Sequence, residues 1–284
     1  MGSQMLKTNF HTHTIFCDGK GTPEEIAQKA VEKGFNILGF SSHSMYPFAG
    51  TWHIAPNNHT NYAKEVHKAQ EKLKDKITIL LGFEADYIPM VSIPSFNRYK
   101  DLNPDYLIGS VHYVFSEKGR LAVDYSATQL KEKIDTLYNG NSREVVQRYF
   151  ELQREMLQKG DFTIIGHCDL IRKNNEKLHM FNEKDDWYRN EIKLTAEAIK
   201  KAGVIAEVNT GAIARGTMDD VYPSSDFLNL LFERNVPVTI SSDCHDPDFL
   251  DCGFEKALES IKKAGYKELA YMDSDKKIKF QKIY

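Results

Sequence analysis

Six of the ten histidines in this chain, His11, His13, His43, His112, His167 and His245, stand at the C-terminal end of a short apolar, β-compatible run. Side chains alternate across an extended backbone, so His11 and His13 of Asn9-Phe10-His11-Thr12-His13 point the same way. The pair alone means little. With ten histidines in 284 residues, a His-x-His spacing arises by chance roughly a third of the time, so recurrence is the better guide.

Between these runs lie helix signals. Thr22-Pro23-Glu24-Glu25 reads as a capping box opening a helix that Gly34 ends. Residues 36–42 then form a strand finishing at His43, a helix follows to about Lys74, and residues 77–83 make a nearly continuous apolar strand ending at Glu84. A helix-like segment leads to residues 106–111 and His112. The amphipathic stretch 143–159, stopped by Gly160, precedes Gly166-His167. Helices over 184–202, 224–233 and 253–264 alternate with strands over 204–208 and 236–240, the latter running into Ser241-Ser242-Asp243-Cys244-His245. One or two short strands follow. Seven strand-then-helix alternations predict an α/β fold, a distorted TIM-like (β/α)7 barrel over residues 1–284 as a single domain. Its strand ends would form one ring with the site at that pole.

Composition narrows the function classes. A hydrophobic share of 41% and a charged share of 27% belong to an ordinary globular protein. No apolar run is long enough to cross a bilayer, and the N-terminus lacks the apolar core of a signal peptide. Net charge is −3 with both signs interspersed, which offers no track for nucleic acid; only residues 276–282 are lysine-rich, and their alternation with Ile278 and Phe280 suits a solvated edge strand. Cys17, Cys168, Cys244 and Cys252 show no disulfide spacing, so a reduced, cytoplasmic setting is expected, with Cys168 and Cys244 as packing residues. The oligomeric state is left open.

The ring would gather His11, His13, His43, Glu84, His112, His167, Asp243 and His245, with Asp18 just past the first strand. A single buried histidine is ordinarily a core residue with a hydrogen-bond partner. Six histidines with carboxylates at one pole would desolvate at considerable cost. Divalent cations remove that cost, since neutral imidazole and carboxylate are their usual ligands.

These residues resemble a known family. His-x-His on the first strand, then Ser-x-His, Gly-x-Glu, Ser-x-His, Gly-His and Ser-Asp-x-His, are the pattern of the PHP (polymerase and histidinol phosphatase) superfamily, from Asn9 to about His245. Gly82-Phe83-Glu84-Ala85-Asp86, Gly109-Ser110-Val111-His112 and the length look most like its histidinol-phosphate phosphatases. The resemblance implies three divalent ions (Zn, Mn or Fe). His11, His13, Glu84 and Asp243 would hold the first; Glu84, His112 and His167 the second; Asp18, His43 and His245 the third. Several relatives carry a histidine near the place of Asp18, a departure that bears on the third ion. The implied activity is hydrolysis of L-histidinol phosphate to L-histidinol and phosphate in histidine biosynthesis. A hydroxide bridging the ions would attack phosphorus, and Glu84, Asp243 and Asp169 would be the catalytic carboxylates. Three dications opposite three carboxylates leave a positive surplus that a phosphate dianion and a hydroxide neutralise.

Arg172 and Arg215, on loops after strands, are the candidates for clamping phosphate, because the guanidinium fork matches its geometry. Asp169 would orient a ligand or donate a proton. Trp52, His53 and Tyr113 stand at the same pole for the organic half of the substrate, and Glu117, Asp124 or Asp220 for an ammonium group. Competing readings are another phosphoesterase of the superfamily acting on a small monoester, nucleotide or diester; an amidohydrolase-type barrel; and a non-catalytic metal-binding barrel. No lysine closes a predicted middle strand, as the amidohydrolase pattern wants, and none of the nine ligand positions is lost.

Overall fold

The structure is a computed structural model and describes residues 5–283. In chain order the strands are β1 (Thr8–Asn9), β2 (Ile37–Phe40), β3 (His43–Ser44), β4 (Thr78–Asp86), β5 (Tyr106–Ser110), β6 (Tyr113–Ser116), β7 (Gly119–Ala122), β8 (Ile164–Ile165), β9 (Ile205–Asn209), β10 (Val238–Ser241), β11 (Glu268–Met272) and β12 (Ile278–Lys282). Parallel strands in the order β1-β2-β4-β5-β8-β9-β10 make the barrel wall, and β3 extends it beside β4. A parallel bridge between Thr12 and Cys244 closes the ring. There the His13 N–H donates to the Cys244 carbonyl at 2.8 Å and the Cys244 N–H to the His11 carbonyl at 3.1 Å. The seam therefore runs through the suspected ligands.

The helices are α1 (Pro23–Glu32), α2 (His59–Leu73), α3 (Ala127–Tyr138), α4 (Ser142–Lys159), α5 (Asn175–Leu178), α6 (Asp186–Ala202), α7 (Gly211–Ala214), α8 (Ser225–Glu233) and α9 (Phe254–Ala264). The Thr22–Glu25 capping box is present, as the sequence predicts. Two expectations change. No α-helix joins β4 to β5: Pro89, Pro94 and Pro104 remove amide donors there, and the segment holds one 3-10 turn, Lys100–Leu102, that Asn103 ends at φ 47°. The reading also passes over the β6–β7 hairpin and α3, although Ser126 and Gln129 form a second capping box. All four cysteines are free, and Cys168 and Cys244 are buried.

Period-2 alternation sorts the barrel interior into layers. Along β4, Ile79, Leu81, Phe83 and Ala85 join the outer core under the helices, whereas Leu80, Gly82, Glu84 and Asp86 fall on the other face. β9 does the same with Ile205, Glu207 and Asn209. The lower layer is apolar: Phe10, Ile37, Leu80, Tyr106, Ile108, Ile164 and Ile205 pack with Ala270 and Met272 of the C-terminal hairpin, which plugs this end. The Tyr106 ring crosses the lumen, and its hydroxyl donates to the carbonyls of Phe10 at 2.6 Å and Phe40 at 3.1 Å. Gly39 and Gly82 make room for it, since a Cβ at either would stand 2.3 or 2.5 Å from Tyr106 atoms. The upper layer is polar.

Candidate metal centre

Glu84, fully buried on β4, is the centre of the polar layer. Its Oε1 faces His167 Nε2 at 2.9 Å and His112 Nε2 at 3.3 Å. Its Oε2 faces His43 Nδ1 at 2.7 Å, His11 Nε2 at 3.2 Å and His13 Nε2 at 3.7 Å. Asp243 Oδ1 lies 3.1 Å from His13 Nε2 and 3.6 Å from His11 Nε2. Asp18 Oδ1 then reaches His245 Nε2 at 3.4 Å, His43 Nε2 at 3.7 Å and His13 Nδ1 at 4.0 Å. All nine residues singled out for metal binding thus meet in one cluster. Their ligand atoms form groups suited to an ion: His11, His13 and Asp243; His11, Glu84 and His167; His43, Glu84 and His112; and His13, Asp18, His43 and His245.

The cluster is incomplete with protein atoms alone. His11 Nε2, His43 Nδ1 and Glu84 Oε2 are buried and make no hydrogen bond, although they face one another. Buried polar atoms are normally satisfied. Burial disfavours the Glu84 carboxylate, but His11, His43 and His112 outweigh that and hold the carboxyl well below its ordinary range. Burial likewise opposes ionisation of Asp243, and Arg215 and His11 overcome it. Burial, reinforced by His245 and His43, drives His13 well below the usual histidine value. Burial works the same way on His11, yet Glu207, Glu84 and Asp243 drive it well above. The ionised acids thus call for positive charge between them and the rings, and a divalent cation supplies it in place of a proton on imidazole, so the donor set fits metal ions.

A further tier holds these rings. His11 Nδ1 bonds Glu207 Oε1 at 2.7 Å, and Glu207 Oε2 accepts from the His167 N–H and from Asn209 Nδ2, both at 2.9 Å. His112 Nδ1 bonds Asp86 Oδ1 at 2.5 Å. Sequence reasoning missed Asp86 and Glu207. For Asp86 the signal was there, because it stands two residues past Glu84, already placed inside the barrel.

The remaining candidates divide. Arg215 reaches the centre: its Nη2 donates to Asp243 Oδ2 at 2.9 Å and its Nη1 to the Asp243 carbonyl at 3.3 Å. A cavity of about 190 Å³ opens here among Asp18, Lys20, Arg215, Asp243 and His245. Arg172 is not a free clamp. It is buried, and its guanidinium is taken by Glu183 at 3.0 Å, Asp220 at 2.8 Å and the Val221 carbonyl at 3.2 Å. Asp169 stands behind His167, accepting the Ser224 N–H at 2.7 Å and lying 3.6 Å from Arg172; burial pushes its carboxyl up to about 6. Among the described residues, no hydrogen bond joins it to any of the nine. His53 is buried with both ring nitrogens engaged, so it is closed to substrate. Tyr113 is buried and stacked on Trp52 at 5.2 Å. Asp220 is spent on Arg172, Glu117 lies at the exposed β6–β7 turn, and Asp124 pairs with Lys173. Larger clefts of about 970 and 780 Å³ lie elsewhere and contain none of the nine residues.

The PHP domain matches residues 9–211 of this chain, a span holding seven of the nine clustered residues. The chain belongs to the PHP family. The Schizosaccharomyces pombe relative named "Probable histidinol-phosphatase" is 28% identical to this PHP chain over 283 residues, covering 93% of it and 88% of the relative. The histidinol-phosphatase of Bacillus subtilis is 24% identical, covering 90% of this chain and 99% of the other. The crystal structure of histidinol phosphate phosphatase from Lactococcus lactis, complexed with zinc, L-histidinol and phosphate, shares the fold. It superposes with a TM-score of 0.70 at 21% identity, over 96% of this chain and 98% of that one. No helix among the described residues is long and apolar enough to cross a membrane.

Proposed function

We propose that this chain is a divalent-metal-dependent phosphomonoesterase that hydrolyses L-histidinol phosphate to L-histidinol and phosphate in the cytoplasm, within histidine biosynthesis. The observation that carries the reading is the shared Glu84 carboxylate, whose two oxygens face separate sets of imidazoles. His11, His13 and Asp243 with Glu84 Oε2 would hold one ion; His112 and His167 with Glu84 Oε1 a second; Asp18, His43 and His245 a third. Bound there, the ions would polarise the phosphoryl oxygens and make water a nucleophile at neutral pH. The Schizosaccharomyces pombe and Bacillus subtilis relatives, each matched over nine-tenths of this chain or more, bear the name histidinol-phosphatase, the first as probable, which supports the substrate.

The chain's own residues do the rest. Arg215, with one edge fixed by Asp243, presents its guanidinium beside the 190 Å³ cavity and would bind the phosphoryl group as it gains charge. Buried walls around Glu84 exclude bulk water and strengthen each electrostatic contact. Hydrolysis adds water across the P–O bond, so one proton must reach the leaving alkoxide. The narrow cavity and dispersed surface charge suit a small ester better than a nucleic acid.

The test is turnover of histidinol phosphate by metal-loaded protein against simple monoesters and a diester. Preference for histidinol phosphate by kcat/KM is expected. Equal turnover of all monoesters would remove the substrate, and faster turnover of the diester would replace the reaction class.

A further inference from the structure

His53 has no part in the ligand set, yet it is inserted among the ligands from the loop that follows β3 and is fully enclosed. Its ring lies over Trp52 at 5.5 Å and 23°, and Trp52 in turn stacks on Tyr113 at 5.2 Å and 11°. The backbone N–H of Gly50 donates to His53 Nδ1 at 3.0 Å. That nitrogen must therefore offer its lone pair, so the ring is neutral and its proton sits on Nε2. Nε2 lies 2.8 Å from Asp86 Oδ2, and His112 Nδ1 lies 2.5 Å from Asp86 Oδ1. One carboxylate thus accepts from two imidazoles, and His112 can satisfy it only by carrying its proton on Nδ1. The same bond turns His112 Nε2 toward Glu84 Oε1, 3.3 Å away.

We infer that Gly50, His53 and Asp86 form a tautomer relay that positions His112 for the second ion and couples the loop carrying Trp52 to that ion's occupancy. His53 and Asp86 are positioning residues. The coupling rests on the ligand assignment above but not on the substrate, because it concerns only how tightly one ion is held. Its origin is an exposed segment: a Cβ on Gly50 would stand 2.9 Å from His53 Nδ1, so a change in the loop must displace the ring. Trp52 reports from the same place. Trp187 is the other tryptophan in the chain, so Trp187→Phe leaves Trp52 as the sole indole.

The experiment is a zinc titration of chelator-stripped protein in the Trp187→Phe background, read by metal content against a competing chelator and by Trp52 emission. Asp86→Asn and His53→Ala should weaken one of the bound ions about 10- to 100-fold and leave the others, as loss of a partner behind a ligand histidine does. His53→Gln, which keeps an amide donor toward Asp86, should recover part of that loss. Gly50→Ala, remote from every ligand atom, should weaken the same ion in a protein whose helical circular dichroism is unchanged. Trp52 emission should move with that ion alone, and nitrogen-15 spectra of labelled histidine should show His112 protonated at Nδ1. Wild-type affinities for every ion in Asp86→Asn and Gly50→Ala would overturn the relay, as would flat Trp52 emission while the ions load. Wild-type protein that takes up no zinc would overturn the ligand assignment and the relay with it.

Discussion

The two ends of the barrel lumen are made by the same strands and solve opposite problems. The plugged end is lined mainly by apolar side chains: the Tyr106 hydroxyl reaches two backbone carbonyls, two glycines open space for its ring, and the C-terminal hairpin shuts out water. At the mouth, two residues further along β4, Glu84 gathers five imidazoles while His11 Nε2, His43 Nδ1 and Glu84 Oε2 stay unpartnered. The difference teaches that the floor stabilises the fold by itself, whereas the mouth is a cost that only bound cations offset.

That contrast can be broken most forcefully at Glu84. Glu84→Gln should lower kcat by about a thousandfold, since ions that stabilise charge by several kcal/mol lose their common ligand. Retained activity would reduce the mouth to ordinary core. Stripping the ions should cost nearly as much in stability. A site saturated at 1,000 times its Kd contributes ~4 kcal/mol, so chelation should lower the melting temperature by on the order of 10 °C, and zinc should restore it. An unchanged melt would mean that the mouth is satisfied without metal.

The two arginines sharpen the comparison. In the metal-loaded protein Arg215→Ala should raise KM for the phosphomonoester about 10- to 100-fold with little change in stability, because the ion beside Asp243 still balances its carboxylate. Arg172→Ala, which leaves Asp169, Glu183 and Asp220 without their cation, should instead cost ~3 kcal/mol in unfolding free energy, with a smaller effect on KM. The smallest effect belongs to the floor. Tyr106→Phe removes one hydroxyl bonded to two carbonyls and should cost ~1 kcal/mol in urea unfolding, with kcat and metal content unchanged.

The nine clustered residues were legible because each closes or follows an apolar run whose C-terminal end the barrel turns toward one pole. Asp86 and Glu207 were not, because the reading ended β4 at Glu84 and took residues 204–208 as plain wall. Extending β4 by one pair of residues finds Asp86, whereas Glu207 is marked only once the structure turns Ile205 and Asn209 inward. The β4–β5 connection, read as helix-like, holds three prolines that rule out a regular helix. Choosing between Arg172 and Arg215 lay beyond any local pattern. Both follow strands, and what separates them is where distant carboxylates fall, Glu183 and Asp220 around one and Asp243 beside the other. The buried sides of Trp52 and Tyr113 were hidden for the same reason, since each covers the other.

Anomalous diffraction at the zinc edge, from crystals grown with zinc, addresses the central claim without any assay. Peaks should lie between Glu84 Oε2, His11, His13 and Asp243; between Glu84 Oε1, His112 and His167; and between Asp18, His43 and His245. Zinc found only on exposed side chains, with these three positions bare, would contradict the account.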